Sequence, residues 1–483
     1  MPVAIAVAAP SVPPLGKPES RRAYALDALR GIAILGMVLS GILPNTLPAW
    51  MFHAQNPPPT NAFHPEIPGI TWVDLVWPTF LFSMGAAFPL ALSKRLGSGA
   101  SIWLAVWNAV RRFVLLAFFS LFVQHVRPFS LSASPDRTTM LVALLAFFLV
   151  FPVLSRFPDK WPVRIQWLVR LLGWAGVIAL LAAQTYADGR GFSVQRFDTI
   201  LMVLANMALV GTIIWLITRG NVILRLGFIA LYVAFRLSHD VPGWTQTVWN
   251  WTPADWLYQF RYLQYVCVIV PGTIVGDFLL NWIRDRNPAP ERHWPGWRSS
   301  LLALLCFAFV PVVLTGMFTR HTTETAIACF VMCAAGWALV RNPLTNTEHL
   351  LRNIFTWSAF WLVLGLALEP YEGGIQKGRA TLSFYFVTVS LSSLLLMTFT
   401  VIADVFSGKR WIGLLVDNGQ NPMIAYLGHT NFIGALLFLT GIGPWMDRMT
   451  PTPWAGFWKC IFVTLLVSLS VRMFTRWKIY WRT

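Results

Sequence analysis

The stretch "FHPEIPGITWVDLVWP", residues 63–78, sets His64, Glu66 and Asp74 at the edge of a long apolar run. Histidine is the side chain whose ordinary titration falls nearest neutral pH. Ionisable groups where a membrane begins are expensive and ask for a reason. Each has a plain structural reading as well: His64 as a solvated loop residue, Asp74 as an acid stabilised at a helix N-terminus by the macrodipole. His53, upstream in a Pro/Asn-rich stretch, is the lesser candidate of the two histidines.

Other polar residues interrupt apolar segments. Asp27 and Arg30, in "YALDALRGIAILGMVLSG", share a helix face at a spacing of three. They read either as a cap with a snorkelling arginine or as a face turned to an anionic cofactor. "NGQNPMIAYLGHTNF" places Asn418, Asn421 and Pro422 at a helix entrance and His429 at membrane depth, where a histidine is a functional-site hypothesis by default. "LALEPYEGGIQKGRATLSFYFVT" clusters Glu369, Glu372, Lys377 and Arg379 around a glycine turn. "VIVPGTIVGD" brings Pro271, Gly272 and Gly276 to mid-span, where small residues let helices approach closely. No GxSxG elbow, HExxH or phosphate-cradling glycine loop occurs, and no metal site is expected.

The elements that must position these groups are membrane helices. Of 483 residues, 56% are apolar and 12% charged, with mean hydropathy +0.59, against about 25% charged in a soluble domain. Apolar windows long enough to cross a bilayer recur at 24–43, 71–92, 109–126, 139–155, 165–185, 198–217, 221–238, 260–283, 299–317, 325–341, 354–369, 381–404, 420–441 and 454–475. The expected fold is therefore all-α: a polytopic helical bundle of about 14 transmembrane helices, forming one domain over 21–483. Residues 1–20 form a disordered tail, since proline breaks their apolar run and the charges follow it.

Charge sets the orientation. Lys17, Arg21, Arg22, Lys94, Arg95, Arg156, Lys160, Arg164, Arg219, Arg284, Arg286, Arg292, Arg298, Arg341, Lys409, Arg410, Arg476, Lys478 and Arg482 fall on one side. Far fewer, chiefly Arg127, Arg137, Arg190, Arg196, Arg320, Lys377, Arg379 and Arg448, fall on the other. By the positive-inside rule both termini are cytoplasmic and the 45–70 loop is outside. The net charge of +17 thus reflects topology, and no basic stripe supports a nucleic-acid partner. The five cysteines lie in apolar segments and read as small packing residues.

Four motifs in order resemble the transmembrane acyltransferase family of heparan-α-glucosaminide N-acetyltransferase and its bacterial relatives. They are Asp27-x-x-Arg30-Gly31, then His64 with Gly69-Ile70-Thr71-x-x-Asp74-Leu75-Val76-Trp77-Pro78. Next comes Glu372-Gly373, with Lys377 and the Ser383–Tyr385 helix, and last Asn421 through Tyr426, Gly428 and His429. The chain departs from that family with Ser40-Gly41 late in the first helix, a longer loop to His64, and "SASPDRTTML" where the family has a different segment. About ten helices match the family core, with two extra pairs near 198–238 and 299–341.

The resemblance implies an enzyme that moves an acetyl group from cytoplasmic acetyl-CoA to the amine or hydroxyl of a glucosamine-type sugar on the periplasmic side. It implies His64 as general base with Asp74 holding its other N–H, and Glu66, Glu372 and Lys377 around the acceptor. Asn421 and His429 would stand near the thioester oxygen. Asp27, Arg30, Arg111, Arg112, Lys409 and Arg410 would lie near CoA. The implied location is a bacterial inner membrane, with the lipid bilayer as partner; a homodimer is one arrangement this allows. The reading from another class is a secondary transporter or flippase for a sugar or glycolipid, suited by kinked helices and a mid-membrane histidine.

Overall fold

The computed structural model describes residues 23–157, 160–285 and 293–482, so the tail expected over 1–20 lies outside the described residues. Helices stand at all fourteen expected places. They are α1 (Tyr24–Ser40), α2 (Trp72–Gly97), α3 (Ile102–Val126), α4 (Arg137–Leu154), α5 (Val163–Ala183), α6 (Thr199–Thr218) and α7 (Val222–Ser238). After these come α8 (Val266–Arg284), α9 (Gly296–Phe318), α10 (Thr322–Val340), α11 (Asn346–Leu368), α12 (Leu382–Thr400), α13 (Pro422–Leu439) and α14 (Pro453–Arg476). Twelve of these segments are long and apolar enough to cross a membrane, α8 counted with the preceding turn from Phe260. The two remaining, α1 and α7, are 17 residues each. The protein is thus a multi-pass helical membrane bundle, with no β-sheet among the described residues.

Helix starts follow ordinary capping chemistry. The Asp136, Asp198 and Thr381 side chains accept the Thr139, Leu201 and Phe384 N–H groups, and Thr345 with Glu348 closes a capping box. Every residue of α12 is buried, so it forms the axis of the bundle. Its hydroxyls return to carbonyls one turn back, Ser392 to Thr388 and Ser393 to Val389, and Ser392 also meets Thr79 of α2 at 2.8 Å.

Glycines set two close helix contacts. Cβ atoms at Gly85 of α2, or at Gly272 and Gly276 of α8, would run into the facing backbone, so α2 and α8 pack backbone to backbone. The small residues of "VIVPGTIVGD" therefore serve packing. Gly31 of α1 and Gly419 of the short helix Gly413–Gln420 do the same: Gly31 faces the Leu415 carbonyl, and Gly419 faces that of Asp27. This is the physical content of the Asp-x-x-Arg-Gly pattern.

The two helix pairs expected as additions differ from each other. α9 and α10 pack together with most of their surface outward. α6 is largely buried, apolar on every side, and packs against α3, α2 and α8. An all-apolar helix suits lipid and core alike, and here its neighbours bury it.

Candidate functional site

The loop before α2 folds back on itself and delivers its two histidines to different acids. Gln55 donates to the Ile67 and Gly69 carbonyls, each at 3.0 Å, and His64 N–H donates to the Gln55 carbonyl at 2.8 Å. Thr71 Oγ1 donates to the Phe52 carbonyl at 2.6 Å. These bonds lay the 52–55 segment against the first turn of α2.

Asp74 is fully buried in that turn. Its Oδ2 accepts the N–H groups of Thr71 (3.1 Å) and Ala54 (3.2 Å), so it caps α2 and anchors the loop together. Its Oδ1 lies 2.6 Å from His53 Nδ1. A carboxylate only accepts, so Nδ1 carries the proton and Nε2 is left as the base nitrogen. His64, expected as the partner of Asp74, instead holds Glu66 through Nδ1 at 2.9 Å, and both are exposed, by 42% and 64%. The ten-residue spacing from His64 to Asp74 places them near each other in sequence. The loop reversal at Gln55 nevertheless gives the buried acid to the histidine 21 positions away. Hydrogen bonds to backbone N–H and to His64 hold the Glu66 carboxyl below the usual carboxylate range.

Lys377 joins the pair from the other end of the chain. Its Nζ lies 3.3 Å from His53 Nδ1 and 3.5 Å from Nε2, and 3.9 Å from Asp74 Oδ1. Burial pushes its ammonium pKa down, against the pull of Asp74 upward. The turn that carries it is firmly held. Glu369 pairs with Arg320 at 2.6 Å, and Gly69 N–H donates to the Ile375 carbonyl at 2.7 Å. Gly373 and Gly374 take φ of 73° and 114°, which glycine adopts without strain. Glu372, expected near the acceptor, is committed elsewhere: its two oxygens accept the Leu382 and Ser383 N–H groups and cap α12.

Two cavities line α2 and α6 at opposite ends. At the Asp74 end, a cavity of about 590 Å³ is bordered by Trp77, Tyr265, Arg236, Arg261, Lys377 and Arg379. At the other end, a cavity of about 620 Å³ is bordered by Arg95, Arg111, Arg112, Arg156, Arg170 and Arg482, with Trp167 and Trp174 beside them. Among the described residues no carboxylate lines either. Arg156 and Arg482 arrive through backbone pairing of the C-terminal segment with the end of α4: Arg482 N–H donates to Leu154 (2.8 Å) and Arg156 N–H to Tyr480 (3.1 Å). Phe88, at the second cavity, is about 21 Å along α2 from Asp74 at about 1.5 Å per residue.

Of the residues expected near CoA, Arg111 and Arg112 border this second cavity and the others do not. Arg30 donates to the Gly419 and Ser83 carbonyls, both at 3.3 Å, and lies 3.6 Å from Asp27. Lys409 stands over the Tyr24 ring at 5.0 Å, and Arg410 is exposed. Arg95, Arg156, Arg170 and Arg482 were not expected here: Arg95, Arg156 and Arg482 read as topology charges, and Arg170 stands inside the apolar run of α5.

Asn421 and His429 also lie apart from His53. Asn421 donates to the Ile479 carbonyl (2.7 Å) and accepts the Trp481 N–H (3.2 Å), pinning the C-terminal segment. His429 bonds the Tyr426 carbonyl at 2.6 Å at the start of a π-helical turn, His429–Gly434. The Tyr426 hydroxyl reaches Asp198 at 2.9 Å, and Asp198 pairs with Arg127 at 2.8 Å. Among the described residues no hydrogen bond or ion pair links this cluster to His53, and no group of three His, Cys, Asp or Glu is placed to hold a metal.

No curated protein matches the chain. The model of a domain of unknown function, DUF5009, matches residues 22–279, from α1 into α8. That stretch carries His53, His64, Asp74, Arg111 and Arg112 but ends before Lys377. Since it is more than half of the sequence, the chain belongs to the DUF5009 family.

Proposed function

We propose that this protein is a membrane acetyltransferase that takes its acetyl group from acetyl-CoA bound at the arginine cavity and passes it to a sugar amine or hydroxyl beside His53. The arginine end is then cytoplasmic and the Asp74 end faces outward, in a bacterial inner membrane. The observation that carries the reading is the position of an acid-held histidine and an arginine-lined cavity at opposite ends of α2.

Five of these guanidinium groups, Arg95, Arg111, Arg112, Arg170 and Arg482, have no acid within ion-pair reach among the described residues; together they repel one another and favour a polyanion. Their planar donor forks suit phosphate, and the two tryptophans offer flat faces for a base. A donor held there by its phosphates needs a long flexible arm to bring its thioester toward His53, and CoA has one.

At the other end, Asp74 fixes His53 with Nε2 free to accept, as the acid does in a catalytic triad. As the acceptor attacks the thioester carbonyl, Nε2 takes the N–H or O–H proton. The C–S bond then breaks, and the proton passes to the leaving thiolate. Lys377 supplies positive charge near the developing oxyanion. The base of this mechanism is His53 rather than His64, which the family resemblance suggested.

Purified protein incubated with radiolabelled acetyl-CoA and glucosamine tests the reading. Labelled sugar from wild type and from His64→Ala, but not from His53→Ala, is expected. Folded protein that neither binds CoA nor forms product would sink the enzyme reading in favour of a transporter.

A further inference from the structure

We infer that the 590 Å³ cavity beside Lys377 receives a phosphate-bearing saccharide, so that the acceptor is anionic. Calling this ligand an acceptor rests on the transferase reading above; that the cavity binds an anion does not.

The argument starts from where the cations at this end find their partners. Arg127 pairs with Asp198, Arg196 with Asp188, Arg320 with Glu369, and Lys459 with Asp447. Those pairs all lie outside the cavity. Arg261 and Arg379, which border it, have no acid within ion-pair reach among the described residues. The acid nearest Lys377 is Asp74, at 3.9 Å, and its oxygen is already taken by His53. Under-neutralised charge therefore converges on one hollow.

That convergence is built by the fold. Arg236 donates to the Arg379 carbonyl at 3.1 Å and to the Ala380 carbonyl, and Glu372 lies 3.9 Å from the same guanidinium. Arg236 thus spends its charge holding the turn that presents Lys377 and Arg379. Gly378, between them, lies against the Phe63 ring, where a Cβ would come within 2.7 Å, and this seats the turn under the 53–67 loop.

Two guanidinium groups with free donors grip a phosphate through paired hydrogen bonds. Trp249 and Tyr262 on the wall supply flat apolar faces for a sugar ring, and the volume falls within the usual range for small-ligand sites.

The test is direct binding in zwitterionic nanodiscs, read by tryptophan fluorescence, with glucosamine 6-phosphate against glucosamine. At least tenfold tighter binding of the phosphorylated sugar is expected, weakening as salt rises. The preference should vanish in the Arg261→Gln/Arg379→Gln double variant; both side chains are exposed, so the fold does not depend on them. Equal binding of the two sugars, or a preference that survives in the double variant, would overturn the assignment. Competition by a lipid-linked form of the same sugar phosphate identifies a membrane-borne ligand if it exceeds the soluble form, and a soluble one if it does not. Phosphate-selective binding without any acetyl transfer keeps the site and removes the transferase. Equal transfer to glucosamine and its phosphate does the reverse.

Discussion

His53 Nδ1 lies 2.6 Å from Asp74 Oδ1, and the other oxygen of the same carboxylate caps α2 and anchors the loop that carries His53. Asp74→Asn puts an amide where one side needs acceptors for two N–H groups and the other needs one for Nδ1–H. Acetyl transfer is expected to fall about 10²-fold or more. Thermal stability should drop as well, by roughly 1–3 kcal/mol for the buried donor left unpaired. Retained activity in a correctly folded Asn variant, measured with radiolabelled acetyl-CoA, would exclude Asp74 as the group that orients the base.

His64 makes the contrasting prediction. Its pair with Glu66 is exposed, and exposed ion pairs contribute little. His64→Ala should keep transfer within about threefold of wild type, while His53→Ala loses about 10²–10⁴-fold, the usual contribution of a general base. The opposite ranking would restore His64 as the base.

Lys377 gives a pH dependence. Burial depresses its pKa, so the unfolded chain binds the proton more strongly than the folded one. Stability contributed at this position is therefore reduced below the folded pKa and recovers as pH rises toward the ordinary lysine value. Thermal melts of wild type and Lys377→Met, run from pH 7 to pH 10, should show wild type gaining on the variant as pH climbs. A difference independent of pH would mean that Lys377 titrates as an ordinary lysine. Transfer by the variant should fall, since the positive charge beside His53 is gone.

At the arginine cavity, Arg111→Gln combined with Arg112→Gln removes two of six positive charges. CoA affinity, followed by titration calorimetry, should weaken at least tenfold and become less sensitive to salt. Lys409→Gln with Arg410→Gln, outside the cavity, should leave it unchanged. Equal effects from both pairs would point to general surface charge.

Gly31 tests the packing argument. A methyl there meets the Leu415 carbonyl, whereas one at Gly413 meets nothing. Gly31→Ala should destabilise the bundle by about 1–3 kcal/mol or more, as overpacking does, and Gly413→Ala should be near neutral. Matching melting temperatures for the two variants would show that α1 and the 413–420 helix can move apart.

The helices were legible in the sequence because a membrane helix needs a long apolar run and little else can cross oil. The burial of α6 was not, since its residues suit a lipid-facing helix and a core helix equally. Asp74 could be picked out as an acid behind a threonine at a helix start. Its partner could not, because sequence distance favoured His64 and the decision was made by Gln55, whose amide closes the loop on itself. A glutamine directly before an Asn-Pro-Pro-Pro run was the available signal. Arg111 and Arg112 stood out within an apolar run, while Arg156 and Arg482 became neighbours only through the pairing of residues 480–482 with 154–156.

That pairing orders events during synthesis. The ribosome delivers Arg482 hundreds of residues after Arg111 and Arg112, when every other wall of the cavity has already entered the membrane. A chain can pack α1 to α13 and bring His53 onto Asp74 while the arginine cavity still lacks the side that residues 480–482 supply, so the two ends of α2 are completed by segments that arrive at different times.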